Sequence, residues 1–201
     1  MGAKLHTKLL EYLPNLSDGI LLEIGSDRGE GSTPFFAGLV YGTTRELYAV
    51  DPSDYVEQNV KYLVEQIPNV HFFKSTGEDF LKEFDKKIAY AYLDNYDWNA
   101  AEDELTATWE EWISDMINEY TQRGEKHSNE KCKQVHLEQA KLIAKLAADK
   151  CIIQFDDTYG NLDEHLLGKG ATAVPWLLDN GWKTVHVSDH GGAWILANYD
   201  V

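Results

Sequence analysis

Short apolar runs alternate along this chain with longer amphipathic stretches. The runs are Ile20–Ile24, Glu46–Val50, Val70–Lys74, Ile88–Leu93 and Cys151–Phe155. Four of them end on a turn-forming or acidic residue: Gly25, Asp51, Asp94 and Asp156. Runs this short, apolar on both faces, suit buried strands of a parallel sheet. The stretches between them carry apolar residues at three- and four-residue steps and predict helices. Lys4–Leu13 is closed by Pro14, and Thr33–Tyr41 tolerates Pro34 in its first turn. Tyr55–Ile67 stops at Pro68, Glu78–Phe84 is short, and Ala171–Asn180 ends at Gly181. Trp182–Val187 and Ala193–Tyr199 predict two last strands joined by the turn Ser188–Gly192. The alternation predicts a doubly wound α/β sheet of seven strands, mostly parallel, with an antiparallel hairpin at its C-terminal end.

One interval breaks the rhythm. The segment from Asp94 to Lys150 is roughly twice as long as a simple crossover needs. Two helices fit there. Val135, Gln139, Ala140, Ile143, Leu146 and Ala147 mark the crossover helix. Leu105, Trp109, Trp112, Ile113, Met116, Ile117 and Tyr120 mark a helix added before it. We read residues 1–201 as one domain with a helical insertion at about 98–127. The inserted stripe is an element of packing, a substrate lid or an oligomer contact, and a homo-oligomer formed through it is one expectation.

Charge narrows the partners. The formal net charge is −16, which repels nucleic-acid phosphates and anionic lipid. A small-molecule acceptor is expected, with no nucleic acid and no membrane. No apolar run is long enough to span a bilayer. The two cysteines, Cys132 and Cys151, suggest neither a disulfide framework nor a thiolate metal site. A cytoplasmic location is the expectation. His127 and His136 are expected to face solvent.

The candidate chemistry begins at Glu23-Ile24-Gly25-Ser26-Asp27-Arg28-Gly29-Glu30-Gly31. This glycine-rich loop follows a strand and precedes a helix, the context that makes such a loop a ligand cradle. Its spacing, G-x-x-x-G-x-G, differs from the G-x-G-x-x-G of dinucleotide enzymes and disfavours a nicotinamide oxidoreductase. Glu23 suits a cationic amino-acid end, directly or through water. Asp51, at the tip of the second strand, suits a pair of ribose hydroxyls. Ser75–Asp79 lies where an adenine edge would be met.

With these residues in place, LLEIGSDRGEGS followed by LYAVDPSD resembles the first two motifs of class I S-adenosylmethionine methyltransferases. The resemblance runs from about Gly19 to Tyr199 and implies a Rossmann-like fold. It implies S-adenosylmethionine held by Glu23, Gly25, Ser26, Asp27, Gly29, Gly31, Ser32, Asp51, Gly77, Glu78, Asp79 and Asp94.

A second cluster bears on the reaction. Asp94 ends the fourth strand, and Asp156-Asp157 ends the fifth. Strand ends share one crevice in a doubly wound sheet, so the three acids should converge. Converging carboxylates repel unless protonated or bridged by a cation. The paired aspartate, with the later GKGATAVPWLLDNGW, resembles metal-dependent O-methyltransferases, in particular the macrocin and aminocoumarin types that methylate sugar hydroxyls in natural-product pathways. That resemblance implies magnesium on Asp94, Asp156 and Asp157, a substrate diol on the metal, and an aspartate taking the proton. The catechol-type relatives place a lysine base three residues after the first metal aspartate, where this chain has Asp97. Asp94 and His190 are the candidate catalytic residues. Tyr96, Trp98 and Tyr159 are candidates for an aromatic wall, and His165 lies in a loop leading to Gly168-Lys169-Gly170. The alternatives are metal-independent methylation of an amine or carboxylate, and a scaffold that binds the cofactor without catalysis.

Overall fold

In the computed structural model, residues 5–26, 29–99, 110–122, 124, 126–162, 165–188 and 192–201 are described. A short helical entry, Leu5–Asn15, contains α1 (Leu9–Tyr12). Then follow β1 (Ile20–Ile24), α2 (Ser32–Val40), β2 (Leu47–Val50), α3 (Asp54–Gln66), β3 (Val70–Phe73), α4 (Gly77–Glu83) and β4 (Ile88–Leu93). The long interval holds α5 (Glu110–Gln122) and α6 (Asn129–Leu146). The chain ends with β5 (Ala147–Phe155), β6 (Thr158–Asn161), β7 (His165–Gly168), α7 (Ala173–Asp179), β8 (Lys183–Ser188) and β9 (Ala193–Ala197).

Seven strands form one sheet in the order β3-β2-β1-β4-β5-β9-β8. The five strands from β1 to β5 pair in parallel, and β9 runs antiparallel to both β5 and β8. This is the sheet that the alternation of runs predicts. Side chains leave successive residues on opposite faces, and the core divides accordingly. Ile20, Leu22 and Ile24 join a cluster with Leu81, Ala140, Ile143, Val174 and Leu177, under α4, α6 and α7. Leu21 joins the opposite cluster with Leu9, Phe36, Val40 and Leu63, under α1, α2 and α3. Hydroxyl caps set three helix starts. Ser53 Oγ accepts from the Tyr55 and Val56 amides, Thr76 Oγ1 from Asp79, and Ser128 Oγ from Lys131. No helix of the described residues is long and apolar enough to cross a membrane.

The structure departs from the sequence reading in three places. First, β5 starts four residues earlier than the apolar run, at Ala147, because its polar start still pairs with β4 through Ala147 and Ile88. Second, the loop after Asp157 is a two-stranded hairpin, β6-β7, separate from the main sheet. Third, His127 and His136 are buried, at 8% and 0% exposure. Both lie in polar sequence, yet tertiary packing covers them. His136 Nδ1 lies 2.8 Å from the Cys132 carbonyl, which absorbs one ring nitrogen within α6. His127 stacks on Tyr96 at 5.4 Å.

Gly25 is the tightest joint in the sheet. Its φ is +86°, and a Cβ there would lie 2.3 Å from the Asn95 amide nitrogen. Gly25→Ala is expected to cost at least about 2 kcal/mol, from the left-handed backbone and the clash together. Urea unfolding of the variant checks this, and an unchanged midpoint would contradict the packing described.

Candidate functional site

Ladder hydrogen bonds carry the strand order past the strand ends. The Gly25 amide donates to Val50 O, Asp51 to Phe73 O, Asp94 to Ile24 O and Asp156 to Leu93 O. Gly25, Asp51, Asp94 and Asp156 therefore stand in a row along the carboxyl edge of the sheet, where open α/β sheets bind ligands. A cleft of about 1050 Å³ opens over Gly25, Asp51 and Asp94 of this row. One end is lined by Gly25, Asp51, Ser53 and Thr76–Asp79, and the other by Asp94–Asp97, Met116, Tyr120 and Lys131. The first end gathers the residues expected to meet ribose and adenine. The far wall comes from α5, so the described part of the insertion lines the cleft through buried Met116 and Tyr120.

Glu23 is fully buried. It accepts hydrogen bonds from Ser26 Oγ at 3.0 Å, Ser32 Oγ at 2.5 Å and Thr33 Oγ1 at 2.7 Å. Direct contact with a ligand is therefore not offered. The Glu23 carboxylate ties the glycine-rich loop to the first turn of α2, where a helix N-terminus favours negative charge. Burial nonetheless pushes its pKa up to about 7, against the pull of the three hydroxyls. Asp51 is taken up by the same loop. Its Oδ2 accepts from the Ser26 amide at 3.0 Å and its Oδ1 from the Ser53 amide at 2.9 Å.

The three aspartates do converge, and the group that joins them is Lys169. Its Nζ lies 2.5 Å from Asp94 Oδ1, 3.2 Å from the Asp94 carbonyl and 3.1 Å from Asp157 Oδ2. Two hydrogen bonds thus run from the ammonium to Asp94, and Asp157 faces it as an ion pair. Asp156 is held separately. Tyr92 OH donates to its Oδ2 at 2.5 Å and lies 3.4 Å from Asp94 Oδ2. The Lys169 ammonium is 1% exposed as a residue. Burial alone would lower its pKa, but Asp94 and Asp157 hold it well above the usual lysine range. Burial pushes the Asp94 carboxyl up, and the Lys169 charge opposes that shift.

This arrangement does not fit the magnesium that the resemblance implies. Magnesium needs oxygens at about 2.0–2.1 Å in near-octahedral array. Here an ammonium stands between Asp94 and Asp157, and Tyr92 engages Asp156. Among the described residues no group of three His, Cys, Asp or Glu side chains is arranged to hold a metal ion. Sequence reading passed over Lys169. The available signal was its place between two glycines. Gly168 has φ +90° and no room for a Cβ, which would fall 1.8 Å from Asp157 O. The hairpin β6-β7 can therefore fold back onto the aspartate pair and deliver Lys169 beneath it.

Other expected groups scatter. Gly77 to Asp79 lies on the cleft, while Glu78 also accepts from Gln139 Nε2 at 2.9 Å. Ser32 is beneath the loop on Glu23. Gly29, at φ +73°, packs its backbone on Val60, and Gly31 precedes α2. Of the aromatic wall, Tyr96 lines the cleft beside Tyr120 at 4.9 Å between rings. Trp98 and Tyr159 instead pack on each other at 5.3 Å. His165 is exposed. Asp27, Leu105, Trp109 and His190, with the side chains of Trp112 and Ile113, lie outside the described residues.

Glu23 gives a pH signature. Its folded pKa of about 7 lies above the ordinary value of 4.5, so the folded chain holds a proton that the unfolded chain releases between those values. Raising the pH through that window therefore costs stability, and the full cost is in place above it. The cost is at most about 3 kcal/mol. Chemical denaturation from pH 4.5 to 7.5 is expected to show this slope in the native chain and to lose it in Glu23→Gln. Parallel slopes in the two proteins would contradict the assignment.

No protein-family model matches the sequence, and no curated protein matches it. Solved structures do. The chain is similar to an rRNA methylase from Streptococcus thermophilus, at 12% identity, covering 96% of this chain and 91% of that one, with a TM-score of 0.53. It is similar to the glycopeptide N-methyltransferase MtfA, at 9% identity over 98% of this chain and 94% of that one, TM-score 0.55. It is also similar to the 1,6-didemethyltoxoflavin-N1-methyltransferase of Burkholderia thailandensis, solved with 1,6-didemethyltoxoflavin and S-adenosylhomocysteine. There the identity is 12% over 96% of this chain and 74% of that one, TM-score 0.53. Identities this low speak for the fold, and the chain has the Rossmann-like fold of these methyltransferases.

Proposed function

We propose that the chain transfers the methyl group of S-adenosylmethionine to a small acceptor that carries a basic amine. The observation that carries this reading is the row of strand-end groups under one cleft: Gly25, Asp51, Gly77–Asp79 and Asp94. In this reading Asp51 takes the ribose hydroxyls and Thr76–Asp79 the adenine edge. The methionine end lies along the loop whose shape Glu23 fixes. The sulfonium methyl then points toward Asp94 and the α5 wall.

The lining of the cleft supports the choice of acceptor. It carries seven carboxylates (Asp51, Glu78, Asp79, Asp94, Asp97, Asp115 and Glu138) against Lys82 and Lys131. Such a lining concentrates cations and repels phosphates. With the net charge of −16, it speaks against RNA as the acceptor, although one structural neighbour is an rRNA methylase. The amine must give up a proton to attack. Its lone pair then forms the new bond to the methyl carbon as the carbon–sulfur bond breaks, leaving a neutral thioether. The released proton passes to a carboxylate of the cleft lining, with Asp94 the member of the row on the α5 side, or to water.

A second reading, magnesium-dependent O-methylation of a natural-product hydroxyl, draws on the convergence of Asp94, Asp156 and Asp157. It requires Lys169 to leave the position it occupies.

Titration calorimetry with S-adenosylhomocysteine is expected to show one site, weakened at least about tenfold in Asp51→Asn through loss of a charged acceptor. Methyl-labelled cofactor is expected to mark amine acceptors and to spare the matched alcohols. Absence of binding would overturn the methyltransferase reading. Label confined to alcohols would move it to the second reading.

A further inference from the structure

We propose that Lys169 is a built-in replacement for a divalent cation: its ammonium occupies the aspartate cluster, holds Asp94 and Asp157 in place, and closes the cluster to metals. The inference goes beyond methyl transfer and does not need it. It concerns what neutralises the acids at the end of the sheet.

Three observations carry it. The first is coordination. Lys169 Nζ donates to Asp94 Oδ1 and to the Asp94 carbonyl and pairs in charge with Asp157 Oδ2 at 3.1 Å, so it stands where a bridging ion would stand. The second is delivery. The Lys169 amide donates to Asp157 O at 3.0 Å, and the Gly170 amide donates to Thr158 Oγ1 at 2.8 Å. The turn after β7 is therefore pinned to the aspartate pair itself. A Cβ at Gly168 would overlap Asp157 O, and one at Gly170 would lie 2.8 Å from Thr158 Oγ1. The backbone is built to bring this one side chain under these two acids. The third is the surroundings. Behind the ammonium lie Cys132 and His136, both fully buried. Burial first, and then the Lys169 charge, lowers the His136 pKa to about 3, so the ring is neutral. Burial also pushes the Cys132 thiol up to about 12. Among the described residues, Lys169 is the cation paired with Asp94 and Asp157.

Burying an ammonium is tolerated when it is paired and hydrogen-bonded. Once it is in place, a divalent ion approaching the same oxygens meets a fixed positive charge and lacks the oxygens already spent. With the ammonium gone, three carboxylates near one point, with no cation of their own, form a site for a hard metal ion. Lys169 acts here as a positioning residue, and its removal should create a property that the native chain lacks.

Manganese(II), followed by electron paramagnetic resonance, is the probe. In the native chain, Mn²⁺ titration is expected to show only weak binding that Asp157→Asn leaves unchanged. Lys169→Ser is expected to gain one site at least tenfold tighter than any in the native chain, lost again in Lys169→Ser/Asp157→Asn. Circular dichroism and S-adenosylhomocysteine binding on the same samples report folding and the cofactor end separately. Native binding that Asp157→Asn removes would overturn the proposal. A folded Lys169→Ser with no gained site would overturn it equally. If Lys169→Ser does not fold, the native titration with and without Asp157→Asn decides alone.

Discussion

Gathering carboxylates at the carboxyl edge of the sheet, with Glu23 and Asp51 buried and Asp94, Asp156 and Asp157 half-buried, is the constraint on which this structure turns. An ionised acid removed from water must be given internal donors or another charge. The chain supplies a different solution at each strand end. Glu23 receives three hydroxyls from its own loop and from α2. Asp51 receives two backbone amides. Asp156 receives a tyrosine hydroxyl and the amide of Asp157. Asp94 and Asp157 share the ammonium of Lys169. The loop after β1, the hairpin after β5 and the joints between them are shaped by these needs.

The same solutions divide the cleft into two chemical halves. At the end near Asp51 the acids are met by backbone and hydroxyl donors. At the end near Asp94 the acids are met by a fixed cation, the ammonium of Lys169. The α5 wall, with Tyr120 set against Asp97 and Tyr96, bounds the far side of the cleft.

Most of the fold was legible in the chain because strands buried on both faces write themselves as apolar runs. Ile88–Leu93 is an example, buried at every position. The placement of Gly25 and Asp51 on the cleft was legible because both sit at run ends, where the topology gives them meaning. Three features were not legible. The hairpin β6-β7 contains Asn161, Gly160 and His165 among its residues, a composition that reads as loop. His127 and His136 lie in polar segments, and only their tertiary neighbours bury them. Lys169 was the costliest omission. A lysine flanked by glycines reads as an exposed turn, and its destination depends on a hairpin that returns it to acids a dozen residues earlier. The need for a cation at the aspartates was apparent from sequence; that the chain carries its own was not.

Lysine Nζ–¹⁵N magnetic resonance reads that cation directly. Free surface ammonium groups exchange their protons with water too fast to give sharp signals at neutral pH. The account predicts one sharp, slowly exchanging ammonium signal in the native chain, absent from Lys169→Met and displaced in Asp94→Asn. Fast exchange at every lysine, or a protected signal that persists in Lys169→Met, would contradict it.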